Sequence, residues 1–236
     1  MQRYFSNYKE NNEYLLSKDD SYHIEKVMRM KIHEKVEIVD NRRVFLCEII
    51  SFNPVKAKVI EEIMENHENE KNIILVQSLV NENKMDYILQ KGTELGINEF
   101  YALKTKNSII KENNKSDKKI IRWQKIVKEA SEQSKRNIIP KVHNTIDIKE
   151  LCSIKKDVKI LLTVNEKEKN IKKVLKDNLK CDTLIIVVGP EGGFTKEEEE
   201  LLINNGYMST SLGSRVLRTE TAGIVAVSMI NYEWMV

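Results

Sequence analysis

The amino-acid sequence predicts an α/β protein in two parts, a small β domain over residues 1–70 and a larger domain with a parallel sheet over residues 71–236. First, residues 1–70 hold several short β-rich runs around one helical segment. Second, strand-like and helix-like segments alternate after residue 70, which is typical of a parallel α/β sheet. Third, the later strands are apolar throughout, as strands covered on both faces are.

The composition indicates a water-soluble chain. Charged residues make up 32% of the 236 residues, and the mean hydropathy is −0.46. No apolar run approaches the roughly 20 residues of a membrane span, and the polar N-terminal residues lack the apolar core of a signal peptide. We therefore expect a cytoplasmic protein with no membrane partner. The net charge of +3 is too small to indicate nucleic-acid binding by itself.

The potential metal ligands are scattered along the chain. Cys47, Cys152 and Cys181 are far apart, form no CxxC pair and have no cluster of histidines nearby. Such spacing is typical of neither a disulfide framework nor a zinc site. We expect buried free thiols and no metal.

Local signals in the N-terminal part predict a helix. Residues 21–30 place Tyr22, Val27 and Met28 on one helical side, after a cap within residues 19–21.

A β-hairpin is predicted next, because Asp40 and Asn41 separate two β-rich runs. A third strand is expected over residues 55–59. The charged residues 64–72 have no apolar periodicity, so we place the linker there.

From residue 73 onward, the pattern alternates. A strand over 73–80 precedes a helix that stops at Gly96, and a second strand precedes a polar loop over 104–119. Further buried strands are expected over 158–166 and 184–188. The helix that follows the polar loop is expected to bury one side, formed by Ile120, Trp123, Val127 and Ala130.

The glycine-rich turn at residues 189–193 directly follows one of these buried strands. Glycine tolerates positive φ and close approach to its backbone, so the turn can present N–H groups to a ligand. Thr195 and Glu198 have the spacing of a capping box, which predicts a helix start. Parallel sheets bind ligands outside the carboxyl ends of their strands, so Thr163, Gly189 and the loop over 212–217 are expected to meet.

Charge narrows what this turn can bind. Four consecutive glutamates, residues 197–200, crowd the start of the next helix and would repel a polyphosphate. The lysine and hydroxyl pair of a phosphate-binding loop is also missing, because Phe194 and Thr195 follow the glycines. The pattern favours a neutral or cationic ligand.

A second polar stretch, residues 213–222 (the arginine loop), leads into the last helix. It contains Arg215, Arg218 and Glu220, and Thr219 is the expected N-cap. The helix that follows is apolar nearly all round, as a buried helix is. Two arginines beside a buried helix start indicate a binding or catalytic role.

These two stretches, GPEGGFTKEEEE at 189–200 and LGSRVLRTETA at 212–222, together resemble the RsmE family of SPOUT methyltransferases. The resemblance implies methylation of N3 of a uridine in 16S ribosomal RNA, with S-adenosyl-L-methionine as the methyl donor. It also implies a C-terminal trefoil knot, a PUA-like β-barrel at the N-terminus and a homodimer. The RNA partner is 16S rRNA or the assembled 30S subunit.

The family resemblance and the chemistry of N3 methylation together indicate candidate site residues. We predict Arg218 as the group that stabilises the uracil anion. Arg215 is predicted to hold a phosphate or the cofactor carboxylate, and Glu220 to accept the proton or orient Arg218. RNA contacts are expected at Arg3, Arg29 and Arg136. The cofactor contacts implied by the family are Leu162, Thr163, Gly189, Glu191, Gly192, Leu212, Val216 and Leu217.

Two other functions fit the same residues. One is a ribose 2′-O-methyltransferase of the same fold, and the other is a non-catalytic RNA-binding assembly factor. The N-terminal β domain and the arginine loop favour base methylation over the ribose reaction.

Overall fold

The computed structural model describes residues 1–108 and 116–234 and divides into two compact units. The first unit comprises Met1–Glu68 and Ser131–Ile139, and the second comprises Asn69–Ala130 and Pro140–Val236. No sequence signal predicts that residues 131–139 belong to the first unit. The functional division at residue 70 stays a prediction.

The first unit is built on one six-stranded sheet. Its strands lie in the order β1-β4-β5-β6-β3-β2, and only the β1–β4 pair is parallel. The elements are β1 (Arg3–Phe5), β2 (Lys9–Glu10), β3 (Glu13–Leu15), α1 (Lys18–Tyr22), β4 (Lys35–Asp40), β5 (Arg43–Ser51) and β6 (Lys56–Ile63).

The predicted hairpin is confirmed as β4 and β5, but its turn lies one residue later than the predicted Asp40–Asn41, because Asp40 pairs with Arg43. Its two-residue turn, Asn41–Arg42, has φ of 48° and 68°, the left-handed conformation that a tight hairpin turn requires. The core beneath the sheet includes the fully buried Tyr14, Ile38 and Ile49.

The predicted apolar face of the helix at 21–30 is wrong. Helix α1 begins earlier, with Ser17 as its cap, and continues into a wider helical turn over His23–Val27. There Met28 N donates to His23 O, five residues back rather than four, and this rotates the face that packs inward. Ile24 is buried instead, whereas Val27 is 58% exposed.

The second unit alternates strands and helices as predicted. All neighbouring strands pair in parallel, in the order β12-β10-β11-β7-β8-β9. The elements are β7 (Asn72–Ser78), α2 (Glu82–Glu94), β8 (Glu99–Leu103), α3 (Ser116–Gln133), β9 (Lys141–Val142), α4 (Ile148–Ser153), β10 (Val158–Leu162), α5 (Ile171–Asp177), β11 (Thr183–Val188), α6 (Lys196–Asn204), β12 (Met208–Thr210) and α7 (Thr219–Trp234).

The central strands are covered on both faces. In β11, Leu184 to Val188 are all buried, as the uninterrupted apolar run predicted. Strand β11 lies between β10 and β7, with Ile186 opposite Ile160 on one side and Leu75 on the other. The carboxyl ends of these three strands therefore lie side by side.

Two helices largely follow the prediction. In α3, Trp123, Val127 and Ala130 are buried, whereas the fourth predicted residue, Ile120, is only partly buried. Helix α2 ends before Gly96, whose φ of +90° suits a glycine stop. Of the loop predicted over 104–119, residues 109–115 lie outside the described part of the chain, and α3 begins at 116.

Among the residues that the structure describes, no helix is long and apolar enough to span a bilayer. The trefoil knot stays a prediction.

Candidate functional site

A cavity of about 770 Å³ opens in the second unit at the carboxyl ends of β10, β11 and β12. Ligand sites of parallel α/β sheets lie at this end of the strands. Thr163, Gly189 and the loop over 212–217 meet here, as the sequence predicts. All eight positions predicted to bind the cofactor line this cavity, together with Arg215 and Arg218.

The glycine-rich turn forms one wall of the cavity. The predicted capping box after it is confirmed, because Thr195 N donates to Glu198 Oε2 at 2.9 Å and Glu198 N donates to Thr195 Oγ1 at 3.3 Å. Gly193 has φ of +71°, a conformation that favours glycine. The turn and the start of α6 are thus held by local hydrogen bonds.

Asn107 braces the same turn from a distant part of the chain. Its Nδ2 donates to Gly193 O at 3.0 Å and lies 3.4 Å from Gly192 O. A Cβ at Gly192 would lie 3.4 Å from Asn107 Cβ, so the two segments are in close contact. The sequence predicts only a polar loop at residue 107.

Thr219 joins the arginine loop to the strands. Its hydroxyl donates to Gly189 O at 2.6 Å and accepts from Gln77 Nε2 at 2.8 Å. The prediction that Thr219 caps α7 is wrong. The helix begins at Thr219, and the carbonyl of Arg218 accepts the first bond from Ala222 N at 2.9 Å.

Arg215 and Arg218 line the cavity with exposed side chains. Within residues 1–108 and 116–234, neither guanidinium has an ion-pair partner. Both are therefore available to a ligand that carries negative or partly negative oxygen atoms.

Glu220 is not on the cavity wall. Its side chain is 16% exposed, and Glu220 Oε2 lies 3.3 Å from Lys84 Nζ. This geometry does not favour Glu220 as the proton acceptor, because its carboxylate contacts the Lys84 ammonium, and the role of Glu220 stays a prediction.

Lys84 is a cavity residue that sequence reasoning missed. Its ammonium contacts both Glu191 and Glu220, and the hydrogen bond to Glu191 raises the pKa of Lys84. Nothing in the local pattern of α2 distinguishes it from an ordinary surface lysine, since both partners are more than 100 residues away.

Glu199 is a second cavity residue that was missed. Its carboxylate accepts from Thr163 Oγ1 at 2.7 Å and from Asn165 Nδ2 at 3.2 Å. The sequence shows it only as one of four glutamates at the start of α6. The contact to Thr163 aims this carboxylate at the carboxyl end of β10.

The three arginines predicted to bind RNA differ in exposure. Arg3 is fully buried, with Nε 2.8 Å from Glu37 Oε2. The guanidinium of Arg136 is 3% exposed and lies 2.6 Å from Glu68 Oε2. The prediction of RNA contacts at these two residues conflicts with their burial, because their donors are directed at carboxylates inside the first unit. Arg29 is exposed.

The described residues contain no group of three or more histidine, cysteine, aspartate or glutamate side chains that could hold a metal ion.

Comparisons with known proteins agree with this fold. Residues 67–231 match the family model for an RNA methyltransferase domain, and residues 16–61 match that for an RNA methyltransferase PUA domain. These matches confirm the predicted PUA-like and methyltransferase folds.

Relatives are similar over nearly their full length. Ribosomal RNA small subunit methyltransferase E of Mesomycoplasma hyopneumoniae is 34% identical, over 95% of this chain and 96% of its own. The Bacillus subtilis protein of that name is also 34% identical, over 99% and 97%. The crystal structure of the Neisseria gonorrhoeae enzyme of that name, bound to S-adenosyl methionine, superposes with a TM-score of 0.89 at 28% identity, covering 99% and 98%. The chain therefore belongs to the RNA methyltransferase family, in the group named ribosomal RNA small subunit methyltransferase E.

Proposed function

We propose that this enzyme methylates N3 of a uridine in the 16S ribosomal RNA of the small subunit, using S-adenosyl-L-methionine. The observation that carries the proposal is the cavity itself. Arg215 and Arg218, which have no ion-pair partner among the described residues, line it from the loop before α7, at the carboxyl ends of parallel strands. The names of the relatives and the cofactor bound to the Neisseria gonorrhoeae enzyme support the same activity.

The cavity suits the proposed cofactor. Its volume of about 770 Å³ lies within the usual range for small-molecule sites. Part of the cavity wall is apolar and is formed by Leu162, Val188 and Leu217. The carboxylates of Glu191 and Glu199 can accept hydrogen bonds from hydroxyl groups and attract a cation. S-Adenosyl-L-methionine supplies an electrophilic methyl group on a cationic sulfur, and acidic walls favour such a cation over a polyphosphate.

Backbone groups at the strand ends are proposed to hold the adenosine. These are Leu162, Thr163, Gly189, Gly192, Leu212, Val216 and Leu217. Side chains add directed contacts. Glu191 is proposed to accept the ribose hydroxyls, and Glu199 can accept one further donor of the cofactor beside the bonds from Thr163 and Asn165.

Removal of the N3 proton leaves negative charge on the uracil ring. N3 lies on the Watson–Crick edge of the base, which is hidden in a base pair, so the target uridine must be unpaired or flipped out. We propose that Arg218 donates to a uracil carbonyl and stabilises the anion as it forms. Arg215 binds a neighbouring phosphate or the cofactor carboxylate. Because Glu220 faces Lys84, the proton passes to water or to a carboxylate on the cavity wall.

The first unit is proposed to hold the RNA, through exposed basic residues. Residues 1–70 form the RNA-binding part and residues 71–236 the catalytic part. Arg29 has no carboxylate partner in the described part of the chain, and the exposed Lys26 and Lys31 lie beside it in sequence. Such residues supply most of the salt-dependent affinity for a phosphate backbone.

The active form is proposed to be a cytoplasmic homodimer. The last helix exposes apolar side chains, with Tyr232 88% exposed and Met229 37% exposed. A second copy of the chain would remove this surface from water. Sedimentation at micromolar concentration checks this proposal, since a monomer alone would contradict it.

The proposed reaction is tested with labelled S-adenosyl-L-methionine and 30S subunits that lack the modification. Nucleoside mass spectrometry then identifies the product. We expect 3-methyluridine. Label on a ribose would assign the 2′-O reaction instead, and cofactor binding without transfer would indicate another RNA or a binding role.

A further inference from the structure

We infer that Lys84 is a positioning residue, anchored by Glu220, that holds the Glu191 carboxylate in place to receive the ribose hydroxyls of the cofactor. The inference rests on the proposed function for the identity of the cofactor. It gives Glu220 a role other than proton acceptance and extends the site to helix α2.

The three residues come from three separate elements. Lys84 lies in the first turn of α2, where its N–H donates to the capping Asn81 Oδ1 at 3.0 Å. Glu191 lies in the glycine-rich turn, and Glu220 lies in the first turn of α7. The Lys84 ammonium contacts both carboxylates, so one nitrogen links all three elements.

The three side chains differ in their exposure to solvent. The side chain of Glu220 is 16% exposed, that of Lys84 is 23% exposed and that of Glu191 is 41% exposed. Glu191 and Lys84 line the cavity, whereas Glu220 is not among the residues that line it. The most buried carboxylate therefore anchors the ammonium, and the ammonium fixes the most exposed carboxylate at the cavity wall.

Charge explains why this arrangement needs a cation. Glu191 and Glu220 contact the same nitrogen, and without it the two carboxylates would repel each other. Arg215 and Arg218 also line the cavity, but neither pairs with these carboxylates in the described residues. Lysine is protonated at neutral pH, and the hydrogen bond to Glu191 raises the pKa of Lys84 further.

An exposed ion pair can also be functionally silent. The same helix provides a matched control, since Lys91 forms an ion pair with Glu94 at 2.8 Å and is not part of the cavity wall. Replacing Lys91 removes the same charge from α2 and leaves the proposed contacts intact.

The test measures binding of S-adenosylhomocysteine by calorimetry, which requires neither RNA nor turnover. We expect Lys84→Met to raise the Kd about tenfold, the loss of about one charged hydrogen bond. Lys84→Arg should recover most of the affinity, and Lys91→Met should leave it unchanged. Thermal denaturation confirms that each variant is folded.

A double-mutant cycle tests whether Lys84 acts through Glu191. We expect Lys84→Met to add little to the Kd once Glu191→Gln is present. An analogue of S-adenosylhomocysteine without the ribose hydroxyls should bind wild type and Lys84→Met equally. Additive effects, or equal loss of affinity for both ligands, would overturn the inference.

Glu220→Gln separates the two roles for that residue. If Glu220 anchors Lys84, Glu220→Gln should raise the Kd, and combining it with Lys84→Met should add little more. A lowered kcat at unchanged Kd would instead restore Glu220 as the proton acceptor and overturn the inference. The proposed function is tested by a different outcome. If wild type binds S-adenosylhomocysteine but does not methylate 30S subunits, the assignment of the RNA substrate is wrong. The double-mutant cycle on cofactor binding then still decides the role of Lys84.

Discussion

The hydroxyl of Thr219 donates a 2.6 Å hydrogen bond to the carbonyl oxygen of Gly189. Gly189 starts the glycine-rich turn after β11, Thr219 is the first residue of helix α7, and both residues line the cavity. Thr219 is 6% exposed, and Gln77 donates to the same hydroxyl. This side chain therefore links the first residue of α7 to the start of the glycine-rich turn and to Gln77.

Thr219→Val keeps the shape of the side chain but removes this bond. We expect a loss of about 1–3 kcal/mol in the free energy of unfolding, because the polar groups of Gly189 and Gln77 lose their partner. The affinity for the cofactor should also fall, because Gly189 and Thr219 both line the cavity. Denaturant unfolding and calorimetry check the two effects, with the exposed Thr221→Val as the control. Equal stability of both variants would contradict the role of Thr219.

Arg218→Ala should lower kcat about a hundredfold, because a donor to the developing uracil anion is lost. Cofactor affinity should change little. Methyl transfer to 30S subunits checks this expectation, and Arg122→Ala, at a surface ion pair with Glu82 and Asp86, provides the control. Turnover within a few fold of wild type would show that Arg218 is not the catalytic group.

Gly192→Val should abolish cofactor binding without unfolding the protein. The position has no positive φ, so backbone strain is not the cause. The first added carbon is in ordinary contact with Asn107, at 3.4 Å. Because Gly192 lines the cavity, we expect the two methyl groups of valine to take space that the cofactor needs. Gly192→Ala should therefore bind more tightly than Gly192→Val. Undiminished binding by the valine variant in calorimetry would refute the site.

Glu199→Gln should weaken cofactor binding about tenfold, because a charged acceptor on the cavity wall becomes a neutral amide. The bonds from Thr163 and Asn165 hold this side chain in place, so its loss of charge acts on the ligand directly. The exposed neighbour Glu200 is the control. If Glu200→Gln weakens binding equally, the effect is one of general charge and Glu199 makes no specific contact.

Arg3→Met should destabilise the first unit rather than weaken RNA binding specifically. The loss removes the buried donors to Glu37, Glu65 and the Arg136 carbonyl, while Lys135 still pairs with Glu37, so we expect a cost of about 1–3 kcal/mol. Arg29→Ala should do the opposite and change stability by less than about 0.5 kcal/mol while lowering RNA affinity. Chemical denaturation and filter binding to 16S rRNA fragments separate the two outcomes. An Arg3→Met variant of normal stability would restore its predicted RNA role.

Features that depend on neighbouring residues were predictable from the sequence. The apolar run of β11, the hairpin turn at Asn41 and the capping box of Thr195 and Glu198 each depend on groups within a few residues. The predicted fold class and cavity position followed from them, because parallel strands present their carboxyl ends at one edge. The two motifs also indicated the family.

Tertiary structure decided the contacts between distant residues. Lys84 meets Glu191 and Glu220 only because α2, the glycine-rich turn and α7 surround the same strand ends. Asn107 is brought to Gly193 in the same way, and the buried pair of Arg136 and Glu68 withdraws a predicted RNA contact into the first unit. The sequence by itself determined which segments become strands, helices and turns, since these depend on short-range sterics and hydrogen bonds. Which charges meet depends on long-range packing, which no local pattern records.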